Sequence, residues 1–152
     1  MSHERLLLVD DEERFLSTTR ILLGKRGVEN VETATTGQDA LKILRKGRID
    51  VVVLDVKMPG MDGVEVLRKI KHEHPLVEVI MLTGHGSIES AVDGLKLGAF
   101  DYVIKPVDVA NLLEKIKEAY EKKKAHEDKI RAGKVDRIIS HPMAVFSDGQ
   151  DE

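Results

Sequence analysis

Four apolar runs in the chain are each followed at once by a side chain that can do chemistry. Asp10-Asp11 follows Leu6-Leu7-Leu8-Val9, and Asp55 follows Val51-Val52-Val53-Leu54. Thr83 follows Val79-Ile80-Met81-Leu82, and Lys105-Pro106 follows Tyr102-Val103-Ile104. Three carboxylates, a hydroxyl and an ammonium result. If the runs are neighbouring strands of one parallel sheet, these groups converge at its carboxyl edge, where such sheets bind ligands. Two like charges about 5 Å apart repel by roughly 3 kcal/mol at an effective dielectric near 20, so something positive has to offset them. Oxygen donors with no His or Cys among them suit a hard cation, and Mg²⁺ fits better than zinc. A carboxylate beside Mg²⁺ and Lys105 is equipped to attack phosphorus, because both cations neutralise the phosphoryl oxygens in the transition state.

The elements that must position these groups are legible from hydrophobic period. After the first run, Phe15, Leu16, Thr19, Leu22 and Leu23 recur at helical spacing, with Gly24 and Gly27 as stop signals. Val31 to Thr35 alternates like an edge strand, and Thr36 is placed to cap a helix carrying Ala40, Leu41 and Leu44 before Gly47. The loop from Met58 to Gly63 leads into a helix marked by Val64, Leu67, Ile70 and Lys71 that stops before Pro75. Ser87 is the expected N-cap of the next helix, lined by Ile88, Ala91, Val92 and Leu95 and ending at Gly98. From Val107 a last helix carries Leu112, Leu113, Ile116 and Tyr120, and helix-forming residues continue to about Ala132. Five strand-helix units with unbroken apolar strands predict an α/β, doubly wound, parallel sheet with helices on both faces.

Composition narrows the function classes. The 152 residues are one domain's worth, 41% apolar and 34% charged, with five aromatics and no Trp, so a base-stacking surface lacks its raw material. Zero Cys excludes a disulfide framework, a thiolate zinc site and a Cys nucleophile. No apolar run exceeds four residues, so no membrane span or signal-peptide core is expected. The net charge of −3 argues against direct nucleic-acid binding. These features together fit a cytoplasmic protein.

The motifs LLLVDDE, VVVLDVKMPGMDG, VIMLTGHG and GAFDYVIKP resemble those of the receiver domain of two-component response regulators over about residues 4 to 121. The last two are most like receivers of the sigma-54 activator type, in the nitrogen-regulator subfamily. The resemblance implies a five-stranded, flavodoxin-like sheet in the order 2-1-3-4-5. It makes Asp55 the phosphoacceptor and Asp10 and Asp11 the acidic pair, with one Mg²⁺ held by Asp11, Asp55 and the backbone carbonyl of Lys57 and supported by Asp10. Thr83 and Lys105 would contact phosphoryl oxygens, the Lys105-Pro106 peptide is expected to be cis, and Tyr102 matches the aromatic switch position. The phosphoryl donor would be a sensor histidine kinase or a phosphotransfer protein. Phosphorylation would then bias a surface of helix four, strand five and helix five toward partner binding or homodimerisation. Gly84 is expected to leave space beside the phosphoryl group and Gly63 to permit the turn into the third helix. Lys57 and His85, each two residues beyond a site residue, would tune the lifetime of the phosphate. Beyond handling its own phosphate the protein is not expected to be an enzyme.

Rival readings account for less. Asp10-Asp11 in isolation is also a helix N-cap pair. His72 and His74 read as solvated rather than as a metal pair. The residues from Gly84 to Glu89 lack the third glycine of a dinucleotide loop, and no GxxxxGK is present. A haloacid dehalogenase-like phosphatase shares the Asp, Thr, Lys and Mg²⁺, but it needs a second Asp where Lys57 stands. Residues 122–152 form an extension beyond the receiver. From Glu114 to Arg137 there are nine Lys/Arg against six Asp/Glu, which suits a solvated helix end or a partner-binding segment. Val135 to Pro142 reads equally as a docking strand or as disorder. Both a stand-alone receiver and a receiver cut from a longer transcription activator agree with this sequence.

Overall fold

Strands built from Val, Leu and Ile with little polar interruption can be covered on both faces, and the three central strands of this sheet are. The computed structural model describes residues 3–140, with side chains as far as Lys134. Its strands are β1 (Arg5–Val9), β2 (Asn30–Ala34), β3 (Val51–Asp55), β4 (Glu78–Thr83) and β5 (Asp101–Ile104). Between and after them lie α1 (Glu13–Lys25), α2 (Gly37–Arg45), α3 (Gly63–Glu73), α4 (Ile88–Lys96) and α5 (Val109–Ser140). All pairings are parallel, in the order β2-β1-β3-β4-β5, as expected. The register sets Leu6 beside Val51 and Val51 beside Glu78, so the carboxyl ends of β1, β3 and β4 finish on one edge.

Alternation along the strands divides the core into two layers. Leu7, Val9, Val52, Leu54, Val79 and Met81 face α2, α3 and α4, where Leu41, Leu44, Val66, Leu67, Ile70 and Ala91 meet them. Leu6, Leu8, Val53, Ile80 and Leu82 face α1 and α5, against Leu16, Leu23, Leu112 and Ile116. Most are fully buried, and each such Leu or Ile contributes about 2 kcal/mol on leaving water. Among the described residues no helix is long and apolar enough to cross a membrane.

Several local expectations hold and others need correction. The Thr36 hydroxyl caps α2 by accepting from the Asp39 amide at 3.1 Å. Ser87 makes no side-chain cap, because a single 3-10 turn at His85–Ser87 precedes α4 and Ser87 ends that turn instead of standing extended before a helix. Gly24 lies inside α1; the chain turns at Gly27, whose φ of +94° disfavours a side chain. Leu22 is 37% exposed, so the buried stripe of α1 is Leu16, Thr19 and Leu23. His72 is exposed as expected, whereas His74 is half-buried, its Nε2 buried without a hydrogen bond and 3.9 Å from Glu73 Oε1. Helix α5 continues past Ala132, and the backbone of 135–140 is helical rather than a docking strand or disordered. No proline interrupts it before Pro142, so a helix already nucleated on the core can propagate. His141 and Pro142 lie outside the described residues.

Candidate functional site

The carboxyl edge gathers the groups that the apolar runs deliver. Asp10 follows β1 and is fully buried, with both oxygens engaged: Oδ1 accepts from the Glu12 amide at 2.9 Å and Oδ2 from Lys105 Nζ at 2.7 Å. Asp11 is exposed beside it. Asp55 ends β3, between β1 and β4, and its side chain is 10% exposed. One carboxylate oxygen from each of Asp10, Asp11 and Asp55 lies within 4.8 Å of the others.

Charge at this edge is unbalanced. Burial, then the negative charge of Asp10, raises the Asp55 carboxyl from 3.8 to about 6; Lys105 and the Lys57 amide oppose that rise, and Asp11 adds to it. Lys105 Nζ is 3.8 Å from Asp55 Oδ2, and the Lys57 amide donates to Asp55 Oδ1 at 3.3 Å. Burial alone would lower the Lys105 ammonium, yet its bond to Asp10 and the charges of Asp10, Asp55 and Glu12 hold it above the usual lysine range. A fixed lysine facing an under-compensated trio of carboxylates is a site that favours a further cation.

The Thr83 hydroxyl, fully buried at the end of β4, donates to the Gly84 carbonyl at 2.9 Å. A Cβ placed on Gly84 would meet nothing within 4 Å, so that side of the site is open. The Lys105-Pro106 peptide is cis, as the resemblance implied. Tyr102 is half-buried against the layer of α2, α3 and α4. Gly63 matters for a reason other than the one expected: its φ is not positive, and a Cβ there would collide with the Asp55 carbonyl and come within 2.7 Å of Val56 Cα. Its amide donates to the Val56 carbonyl at 2.9 Å, so only the missing side chain lets α3 begin this close behind Asp55.

Two participants escaped sequence reasoning. Glu12 Oε1 lies 3.7 Å from Lys105 Nζ, and the Phe15 ring centroid is 4.7 Å from the same nitrogen. Phe15 therefore offers a cation-π contact beneath the ammonium. The available signal was their position in the first turn after Asp10-Asp11, where a helix must run beside the segment that follows β5.

Comparison with known proteins agrees with this geometry. A family model described as the response regulator receiver domain matches residues 6–117. The transcriptional regulatory protein ZraR of Escherichia coli (strain K12) is 39% identical over 121 residues, covering 78% of this chain and 27% of ZraR. A putative response regulator NtrX-like protein of Rickettsia bellii is 39% identical over 132 residues, covering 86% of this chain and 27% of its own length. The chain thus spans about a quarter of the length of these curated relatives. Among solved structures, a response regulator receiver domain protein from Clostridium thermocellum matches with a TM-score of 0.77 at 39% identity, covering 80% of this chain and 98% of that one. The receiver domain of NtrX from Brucella abortus matches with a TM-score of 0.72 at 34% identity, covering 76% and 98%. Strand order, the acidic edge and the matched sequence agree, and the chain belongs to the response regulator receiver domain family.

Proposed function

We propose that Asp55 accepts a phosphoryl group from a phosphohistidine of a sensor kinase or phosphotransfer protein. The observation that carries this reading is the placement of Asp55, a nearly buried carboxylate on the central strand with Lys105 3.8 Å from one oxygen and two further carboxylates within 4.8 Å. In the transfer an Asp55 oxygen forms the new O–P bond as the histidine N–P bond breaks, and the electron pair leaves on the imidazole nitrogen, which takes a proton from solvent. The product is an acyl phosphate whose oxygens lie within reach of the Lys105 ammonium, so the charge that grows during transfer meets a fixed cation.

The donor set fits Mg²⁺ because it is all oxygen, partly exposed and short of positive charge. Asp11 and Asp55 are the proposed direct ligands together with the Lys57 carbonyl, while Asp10, whose oxygens are already taken by Lys105 and Glu12, orients Lys105. When bound, the ion supplies positive charge toward the phosphoryl oxygens. Thr83 would exchange its Gly84 carbonyl for a phosphoryl oxygen, and Tyr102 would then turn inward, altering the α4-β5-α5 surface for a protein partner or a second receiver. Lys57 and His85, both exposed and each two residues beyond a site residue, would tune phosphate loss.

A cleft of about 380 Å³ beside the site, lined by Phe15, Thr18, Leu22, Lys105, Pro106 and Val109, offers an apolar approach for the donor protein. We assign the receiver to the cytoplasm, where such donors and Mg²⁺ are present. Incubation with a small phosphodonor and Mg²⁺, read by intact mass, tests the assignment. One phosphoryl group is expected on the native chain and none on Asp55→Ala. Labelling that survives in Asp55→Ala would overturn it.

A further inference from the structure

The apolar stripe of α5 ends at Tyr120, yet the helix continues to Ser140 through a run of three lysines. Polar helix of this kind, with Gly133 inside it, is marginal in water unless tertiary contacts hold it. Those contacts are at the edge of the sheet opposite the acidic site. Lys123 Nζ donates to Asp50 Oδ1 at 2.8 Å and to Glu127 Oε2 at 2.9 Å, and the three side chains are only 11%, 14% and 28% exposed. Asp50, just before β3, is itself tied to both neighbouring strands. Its Oδ2 accepts from the Arg5 amide at 3.0 Å, and its carbonyl accepts from the Glu78 amide at 3.2 Å. Lys122 stands 3.7 Å from the buried carboxylate of Glu78 and over the Phe100 ring at 5.7 Å. Burial works against charge at Lys123, but Asp50 and Glu127 more than restore it and hold the ammonium above the usual lysine range.

We propose that Lys123 is a latch, fastening the start of the α5 extension to the strand-start edge through Asp50, with Glu127 one turn on in the same helix holding the ammonium in place. Any movement of this edge of the receiver is then passed to the first turns of the extension instead of being lost in a frayed helix. The inference does not depend on which residue accepts phosphate.

Hydrogen exchange of the full chain, read by mass spectrometry, tests it. In Lys123→Gln and in Asp50→Asn, which keeps an acceptor for Arg5, amides of residues 124–131 should exchange about tenfold faster than in the native chain. That figure is the lower end of what a hydrogen bond to a charged group contributes. Residues 112–119 should be unaffected. Arg131→Gln is the control: its pair with Asp128 at 3.3 Å is 69% and 61% exposed, and its loss should change exchange less than twofold. Unchanged exchange in Lys123→Gln would overturn the latch, as would an equal effect of Arg131→Gln. Loss of protection spread equally over 112–119 would make Lys123 a general stability residue and refute it as well.

Discussion

Replacing Asp55 by Asn removes a charge that the fold holds at a cost, so in the absence of Mg²⁺ the variant should be more stable than the native chain. Burial and Asp10 raise the Asp55 carboxyl from 3.8 to about 6. An acid raised on folding contributes stability that is fully present below 3.8 and is lost as pH rises through 6. At pH 8 the native chain therefore lacks about 3 kcal/mol that the neutral Asn retains, and near pH 4.5 the gap shrinks to about 1 kcal/mol. Simple electrostatics gives the same order. A single like charge about 4.8 Å away disfavours the Asp55 charge by roughly 3.5 kcal/mol at a dielectric near 20; buried Asp10 contributes most of this repulsion, exposed Asp11 little, and Lys105 at 3.8 Å opposes it while burial adds to it. Urea unfolding in EDTA at the two pH values reads this directly. With an m-value of about 2 kcal/mol per M, the midpoint at pH 8 should rise by about 1.5 M in Asp55→Asn. A variant that unfolds at the same or lower urea at pH 8, or a gap that fails to shrink at pH 4.5, would refute the reasoning.

Other perturbations address the same architecture. Mg²⁺ at a hundred times its dissociation constant should stabilise the native chain by about 2.7 kcal/mol in a thermal or urea titration, and Asp11→Asn should abolish most of that gain. Gly63→Ala drives a Cβ against the Asp55 carbonyl and Val56, main-chain atoms that cannot rotate away, and should cost about 2–3 kcal/mol by chemical denaturation. Leu54→Ala, in the fully buried strand before Asp55, should cost about 3 kcal/mol by the same measurement. Following phosphate loss in Lys57→Ala and His85→Ala tests their tuning role, and rates equal to the native one would dismiss it.

The parallel sheet was legible because Leu6 to Val9, Val51 to Leu54 and Val79 to Leu82 are too apolar to be anything but buried on both sides, whereas its strand order was implied by the resemblance to receiver domains. The convergence of Asp10, Asp11, Asp55 and Lys105 follows once those runs are parallel neighbours. What stayed hidden depends on contacts between segments far apart in sequence. Phe15 beneath Lys105 was signalled only by its place in the first turn after Asp10-Asp11, and Asp50 beside Lys123 by nothing local, since each residue alone reads as ordinary helix face or loop. Ser87 had the right residue type for a cap but the wrong backbone, because a 3-10 turn intervenes. Gly63 was flagged for conformational freedom and turned out to be needed for its missing volume.

The position of β3 has a dynamic consequence. Asp55 ends a strand buried along its whole length and paired on both sides, whereas Lys105 follows β5, a mostly half-buried edge strand whose only strand partner among the described residues is β4. Opening the centre of such a sheet costs nearly the full free energy of unfolding, while opening its edge costs far less. Half of the site is thus an anchored reference and the other half a compliant arm.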